Sequence, residues 1–135
     1  MAPRKIDHIG IAVSDLESAK RFYEESLGLK VAREESVGEM KIAFVPVGGV
    51  NLELIQSTAD NGVIARFIAK RGEGVHHIAY EVEDVSSALE KLKTRGVRLV
   101  DERPRRGAGG TEVAFVHPKG AHGVLTVLVM AKRNG

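Results

Sequence analysis

The chain has no cysteine, so neither a disulfide nor a thiolate-bound zinc is open to it, and cysteine usage leaves its redox compartment undetermined. Tryptophan is absent and aromatic residues make up only 4% of the chain, which removes the usual platforms for stacking nucleic-acid bases. Neither sign of charge dominates. With Lys and Arg totalling 20 and Asp and Glu 18, no broad basic field forms, and nucleic acid is not expected as a partner. No apolar run approaches the length that crosses a bilayer, and the opening MAPRKIDH enters a strand without the apolar core of a signal peptide. The expectation is a soluble, cytoplasmic protein with no membrane partner, its 135 residues forming a single domain with a sizeable core.

What is present is a duplication. Residues 7–31 (DHIGIAVSDLESAKRFYEESLGLKV) return as residues 76–100 (HHIAYEVEDVSSALEKLKTRGVRLV). MKIAFVPVGG (40–49) returns as TEVAFVHPKG (111–120), and GVNLELIQ (49–56) as GVLTVLVM (123–130). His8 thereby pairs with His77, whereas Glu53 pairs with Val127. Each copy reads β-α-β-β-β, which makes the fold α+β, with modules over about 5–57 and 75–131. Duplication of such a unit leads us to expect two sheets edge to edge about a pseudo-twofold axis.

In the first copy, Ser14 to Glu17 has the capping-box pattern of a helix start. Leu16, Ala19, Phe22, Tyr23 and Leu27 follow at helical spacing as a core stripe, and Gly28 stops the helix. In the second copy Asp84 is the cap, Val85, Ala88, Leu89 and Leu92 the stripe, and Gly96 the stop. Strands are expected over 30–34, 40–47 and 50–56, and again over 98–102, 112–117 and 123–130, with turns at Gly48-Gly49 and Lys119-Gly120. Residues 60–71 read as a linker helix closed by Gly72 and Gly74. Residues 107–110 (GAGG) lack the surroundings of a dinucleotide loop and read as a flexible turn.

Strand alternation puts His8, Gly10 and Ala12 on one face, and His77, Ala79 and Glu81 on the matching face of the second copy. Glu53 stands in an apolar run, where a buried carboxylate needs a partner or a metal. If these faces look into one cleft, His8, Glu53 and His77 converge on a divalent cation. His76 has the opposite parity and is not expected to be a ligand. His117 and His122 fall at strand ends as loop or rim groups. Arg103, Arg105 and Arg106, with Lys119, form a local basic cluster that is either solvated loop or a dock for a small anion.

The doubled DHIGIAV / HHIAYEV pattern resembles the vicinal oxygen chelate superfamily of glyoxalases, extradiol dioxygenases and bleomycin-resistance proteins. RGEGVHHIAYEV (71–82) and the His117-Pro-Lys hairpin are similar to its methylmalonyl-CoA epimerase branch, over almost the whole chain. The resemblance implies paired βαβββ modules around an open, U-shaped sheet cavity, usually in a homodimer. It also implies a metal ion (cobalt, manganese or zinc) held by a histidine on each first strand and an oxygen ligand on each last strand. Position by position these are His8, His77 and Glu53, while the fourth, a glutamate that doubles as a proton carrier, falls on Val127. The other proton carrier falls on Ile42.

The activity implied is interconversion of the (R)- and (S)-epimers of methylmalonyl-CoA by removal and return of the α-proton. The catalytic residues are unassigned, because the family positions hold Val127 and Ile42. Glu53 is one possible proton carrier; Glu81 and Glu39 are weaker ones. For the acyl-CoA substrate, Arg105, Arg106 and Lys119, with Arg103, Lys70 and Arg71, are candidates to meet the phosphates. Two alternatives stay open: a non-catalytic small-molecule-binding protein of the bleomycin-resistance kind, and a glyoxalase-like lyase.

Overall fold

The computed structural model describes residues 2–107 and 110–130. The chain packs as two units: one runs from His8 to His76, and the other takes the chain from His77 onward together with the first residues through Asp7. The expected α+β arrangement of two βαβββ modules is what is found. In the first module β1 (Lys5–Ala12) leads to α1 (Leu16–Arg21), then β2 (Arg33–Val37), β3 (Met40–Val47) and β4 (Val50–Ser57), and α2 (Val63–Arg71) follows. The second has β5 (Gly74–Glu81), α3 (Val85–Thr94), β6 (Arg105–Arg106), β7 (Glu112–Val116) and β8 (Leu125–Met130). Strand order is β2-β3-β4-β1 in the first module and β5-β8-β7-β6 in the second. In each, the first strand pairs in parallel with the last, and the remaining pairs are antiparallel.

The first module's sheet is covered on both faces. Alternate residues Ala43, Val45 and Leu54 pack with Val13 and Leu16 beneath α1. Residues of the other parity, Ala12, Ile42, Phe44 and Ile55, pack against Ile64, Phe67 and Ile68 of α2. A fully buried side chain such as Leu54 stabilises the fold by about 1.5–3 kcal/mol relative to exposure. The segment read as a linker helix is thus a core element of the first module. In the second module α3 lays Val85, Ala88, Leu89 and Leu92 on Val82, Ala114, Val116 and Leu128, as its sequence stripe requires.

Four local expectations need correction, the first being the strand expected over 30–34, which runs over Arg33–Val37. The cap of α1 is Asp15, whose carboxylate accepts the Ser18 amide at 3.3 Å; Ser14 instead donates its own N–H to Glu73 Oε2 at 2.7 Å. Gln56 Oε1 takes the Leu16 amide at 2.8 Å, so two of the groups serving this helix start lie far away in sequence. Beyond Arg21 the helix loosens into a π-turn over Phe22–Ser26, with Leu27 N–H donating to Phe22 C=O at 3.1 Å. That wider turn shifts the stripe out of phase. Tyr23 stays on the core, while Phe22 (50% exposed) and Leu27 (55%) face outward.

The strand expected over 98–102 is reduced to a bridge between Leu99 and Val116, and pairing resumes at Arg105. The ladder breaks because the Phe115 carbonyl takes both the Val100 and Asp101 amides, while the Phe115 amide turns to the Asp101 side chain. Gly28 and Gly96 end their helices with φ of 75° and 72°, a left-handed conformation that glycine adopts at no steric cost. Of the 107–110 turn, residues 108 and 109 lie outside the described residues.

Candidate functional site

In the first module the pairing register assembles one polar corner. His8 stands opposite Asn51 and Gly10 opposite Glu53 on the parallel side; Glu53 stands opposite Phe44 on the antiparallel side. Partners in register share a face. Gly10 contributes no side chain, and His8 Nδ1 reaches to 3.4 Å from Glu53 Oε2. Both side chains are only 16% exposed. Adjacent donors each about 2.1 Å from a tetrahedral ion lie about 3.4 Å apart. The imidazole nitrogen and carboxylate oxygen therefore fit two ligands of one divalent cation. Among the described residues, no group of three or more potential metal-ligating side chains gathers at one point.

The second module repeats the register with different chemistry. His77 stands opposite Leu125 and Ala79 opposite Val127, the pattern of His8–Asn51 and Gly10–Glu53. Val127 then faces Phe115 across the antiparallel pair, as Glu53 faces Phe44. Val127 is 3% exposed and belongs to an apolar cluster with Ala79, Val129, Val113 and Phe115. Hydrocarbon fills the place that carries a carboxylate in the first module. Ile42, the other position expected to hold a proton carrier, is buried in the first module's apolar cluster.

An arginine lies over each of the two phenylalanines. In the first module the Arg33 guanidinium sits 3.8 Å from the Phe44 ring centroid and pairs with Glu35. In the second, Arg105 sits 4.4 Å from the Phe115 centroid, and its Nε donates to Asp101 Oδ2 at 3.1 Å. Asp101 also takes the Phe115 amide at 2.8 Å, tying ring, carboxylate and guanidinium together. Sequence reasoning did not single out Asp101. Its only signal is its place four residues before Arg105.

The other basic candidates do not share this arrangement. Arg106 stands opposite Glu112, and strand alternation turns it to the face opposite that of Arg105. Lys119 lies in a short 3-10 turn, Pro118–Gly120, where its amide donates to His117 Nδ1 at 3.0 Å. The His117 pKa is lowered by partial desolvation and by the positive charges of Arg98 and Lys119. His122 occupies a turn at φ 54°. His76 meets Phe67 edge to face at 5.0 Å, and burial lowers its pKa below the ordinary 6.5.

Comparison with known proteins agrees with the fold. The profile of the Glyoxalase/Bleomycin resistance protein/Dioxygenase superfamily matches residues 7–115. The chain is 41% identical over 130 residues to the uncharacterised protein YqjC of Bacillus subtilis, covering 95% of this chain and 93% of that one. It is 36% identical over 128 residues to the ethylmalonyl-CoA/methylmalonyl-CoA epimerase of Cereibacter sphaeroides, covering 92% and 96%. The crystal structure of methylmalonyl-CoA epimerase from Mycobacterium tuberculosis superposes with a TM-score of 0.87 at 36% identity, covering 97% of this chain and 90% of that one. The expectation of an epimerase-type enzyme agrees with these relatives. On its doubled βαβββ modules, its register-matched histidines and these likenesses, the chain belongs to the glyoxalase/bleomycin resistance protein/dioxygenase superfamily.

Proposed function

We propose that the protein is a metal-dependent epimerase that inverts the α-carbon of methylmalonyl-CoA, acting in the cytoplasm as a homodimer. The observation that carries this reading is the half-buried His8–Glu53 pair, in a chain 36% identical to a named ethylmalonyl-CoA/methylmalonyl-CoA epimerase. We assign His8 and Glu53 to the cation by their spacing, and His77 by its repeat-matched position alone. A cobalt, manganese or zinc ion held there supplies Lewis acidity to the negative charge that develops when a C–H beside a thioester is ionised.

The chain's own groups must do the rest. The α-proton has to leave to a base on one side of the α-carbon and return from an acid on the other, and positioned proton transfer is worth about 10²–10⁴-fold. Val127 can do neither, so the second module supplies no carboxylate at the matched position. Glu53 is our candidate for the proton carrier on its side. With one of two opposed carriers replaced by valine, inversion is expected to be slower than one-sided exchange of the proton.

The test is α-proton exchange of methylmalonyl-CoA in D₂O, followed by NMR with cobalt-loaded protein, scored separately for deuterium wash-in and for inversion. Wash-in well above the protein-free rate, abolished in Glu53→Gln, supports the epimerase. Absence of wash-in while methylmalonyl-CoA still binds would overturn it in favour of a ligand-binding protein, the reading that the apolar cluster around Val127 favours.

A further inference from the structure

We propose that Arg105 is a preorganised receptor for an anionic group of the acyl-CoA ligand, a role that sets it apart from Arg106 and Lys119. The inference rests on the acyl-CoA reading above. A guanidinium binds a carboxylate or phosphate best as a fixed planar fork, since a free arginine loses rotamer entropy on binding. Arg105 is already fixed. Its guanidinium carbon lies over the Phe115 ring, and its Nε is tied to Asp101, which is itself tied to the Phe115 amide.

That arrangement commits one of the five guanidinium N–H groups. The two terminal nitrogens make no hydrogen bond or ion pair among the described residues. The side chain is 54% exposed, so a ligand can reach them. Arg105 also shares a face with Val113 and Phe115. Those two residues belong to the apolar cluster that contains Val127, so the guanidinium stands at the edge of the surface matched to the first module's His8–Glu53 corner. An anion with a short apolar extension suits such a surface.

Charge separates Arg105 from its counterpart. Arg33 makes the same stack on Phe44, but Glu34 and Glu35 flank it, and Glu34 holds Lys20 at 2.8 Å. Over residues 101–106, by contrast, three arginines stand against two acids. The local sequence of the second stack therefore keeps a net positive charge to offer an anion, whereas the acids beside Arg33 balance the first.

Two groups of the ligand carry suitable oxygens: the free carboxylate of the malonyl unit and the phosphates of coenzyme A. The experiment is titration calorimetry of metal-loaded wild type, Arg105→Gln, Arg105→Lys, Asp101→Asn and Arg33→Gln with methylmalonyl-CoA, propionyl-CoA and free coenzyme A. Loss of a charge-assisted bidentate contact should weaken Arg105→Gln about tenfold or more. Arg105→Lys should recover only part of that, because an ammonium lacks the fork. Asp101→Asn should give a smaller loss, and Arg33→Gln none.

A loss confined to methylmalonyl-CoA assigns the carboxylate, and an equal loss with all three ligands assigns a phosphate. Either result supports the proposal. It is overturned if wild type binds and Arg105→Gln binds every ligand within twofold of it, with unchanged circular dichroism and melting. If wild type itself binds none of the three, the acyl-CoA reading falls first and this inference with it.

Discussion

The two modules share a register but differ in what they bury. In the first, the face away from α1 carries a carboxylate 3.4 Å from an imidazole and is roofed by α2. In the second, the equivalent face is hydrocarbon throughout its cluster, built from strand residues alone: Ala79, Val113, Phe115, Val127 and Val129. Parallel pairing of first and last strands, a phenylalanine opposite the key position and an arginine over its ring recur in both. The backbone pattern is thus indifferent to whether the key position is Glu or Val. Chemistry at this position can change without rebuilding the sheet, because a close-packed apolar side chain needs no partner whereas a buried acid does.

The comparison can be broken most severely by making the first module resemble the second. Glu53→Val should reduce deuterium wash-in by about 10²–10⁴-fold if Glu53 carries the proton. Wash-in within threefold of wild type would remove Glu53 from the mechanism. The reverse exchange, Val127→Glu, gives the second module an acid at the position that Glu53 occupies. Inversion should rise about tenfold or more as a second carrier is added. The metal-free variant should lose about 2 kcal/mol or more, because a carboxylate then replaces a close-packed valine. Cobalt should raise the variant's Tm more than it raises that of wild type, by preferential binding to the folded state. Equal cobalt shifts would mean that the new acid does not meet the ion.

The helix starts sharpen the same comparison with smaller effects. Asp84 accepts from the Ser86 and Ser87 amides and from the Ser87 hydroxyl, whereas Asp15 accepts a single long bond from Ser18. Asp84→Ala should cost about 1–2 kcal/mol and Asp15→Ala about 0.5–1 kcal/mol in urea unfolding. The reverse order would mean that Gln56 and Glu73 do not relieve Asp15 as described. The least effect concerns pH. Because burial lowers the His76 pKa below 6.5, the unfolded chain takes up the proton first as pH falls. The stability that neutral His76 contributes is complete above about 6.5 and is lost as pH falls through the lowered folded value. Unfolding curves from pH 8 to 5 should show this decline, and His76→Phe should flatten it; an unchanged slope in the variant would assign the decline to other groups.

Much of this architecture is legible in the chain, and the failures are instructive. The β3 strand falls on residues 40–47 as alternation and the Gly48-Gly49 turn require, and α3 follows its stripe and its Asp84 cap. The repeat also aligns Asp15 with Asp84, so the true cap of α1 was signalled by its counterpart, although the local Ser14–Glu17 pattern pointed one residue earlier. No periodicity announces the π-turn that exposes Phe22 and Leu27, because inserting a wider turn changes phase without changing composition. The strand expected over 98–102 failed for a different reason. Its pairing was displaced by a side chain, Asp101, competing for the Phe115 amide.

For the candidate site, the sequence by itself determined which residues could act: two histidines and one acid at repeat-matched positions, with valine where a second acid would stand. Strand alternation is local, so it assigns a face to each residue without any knowledge of neighbours. What only the tertiary structure decided is who meets whom. That Glu53 lies beside His8, that Val127 is packed against Phe115, and that Asp101 takes the Phe115 amide all depend on how distant segments pair. Register joins residues far apart in the chain, and it is set by the packing of whole faces.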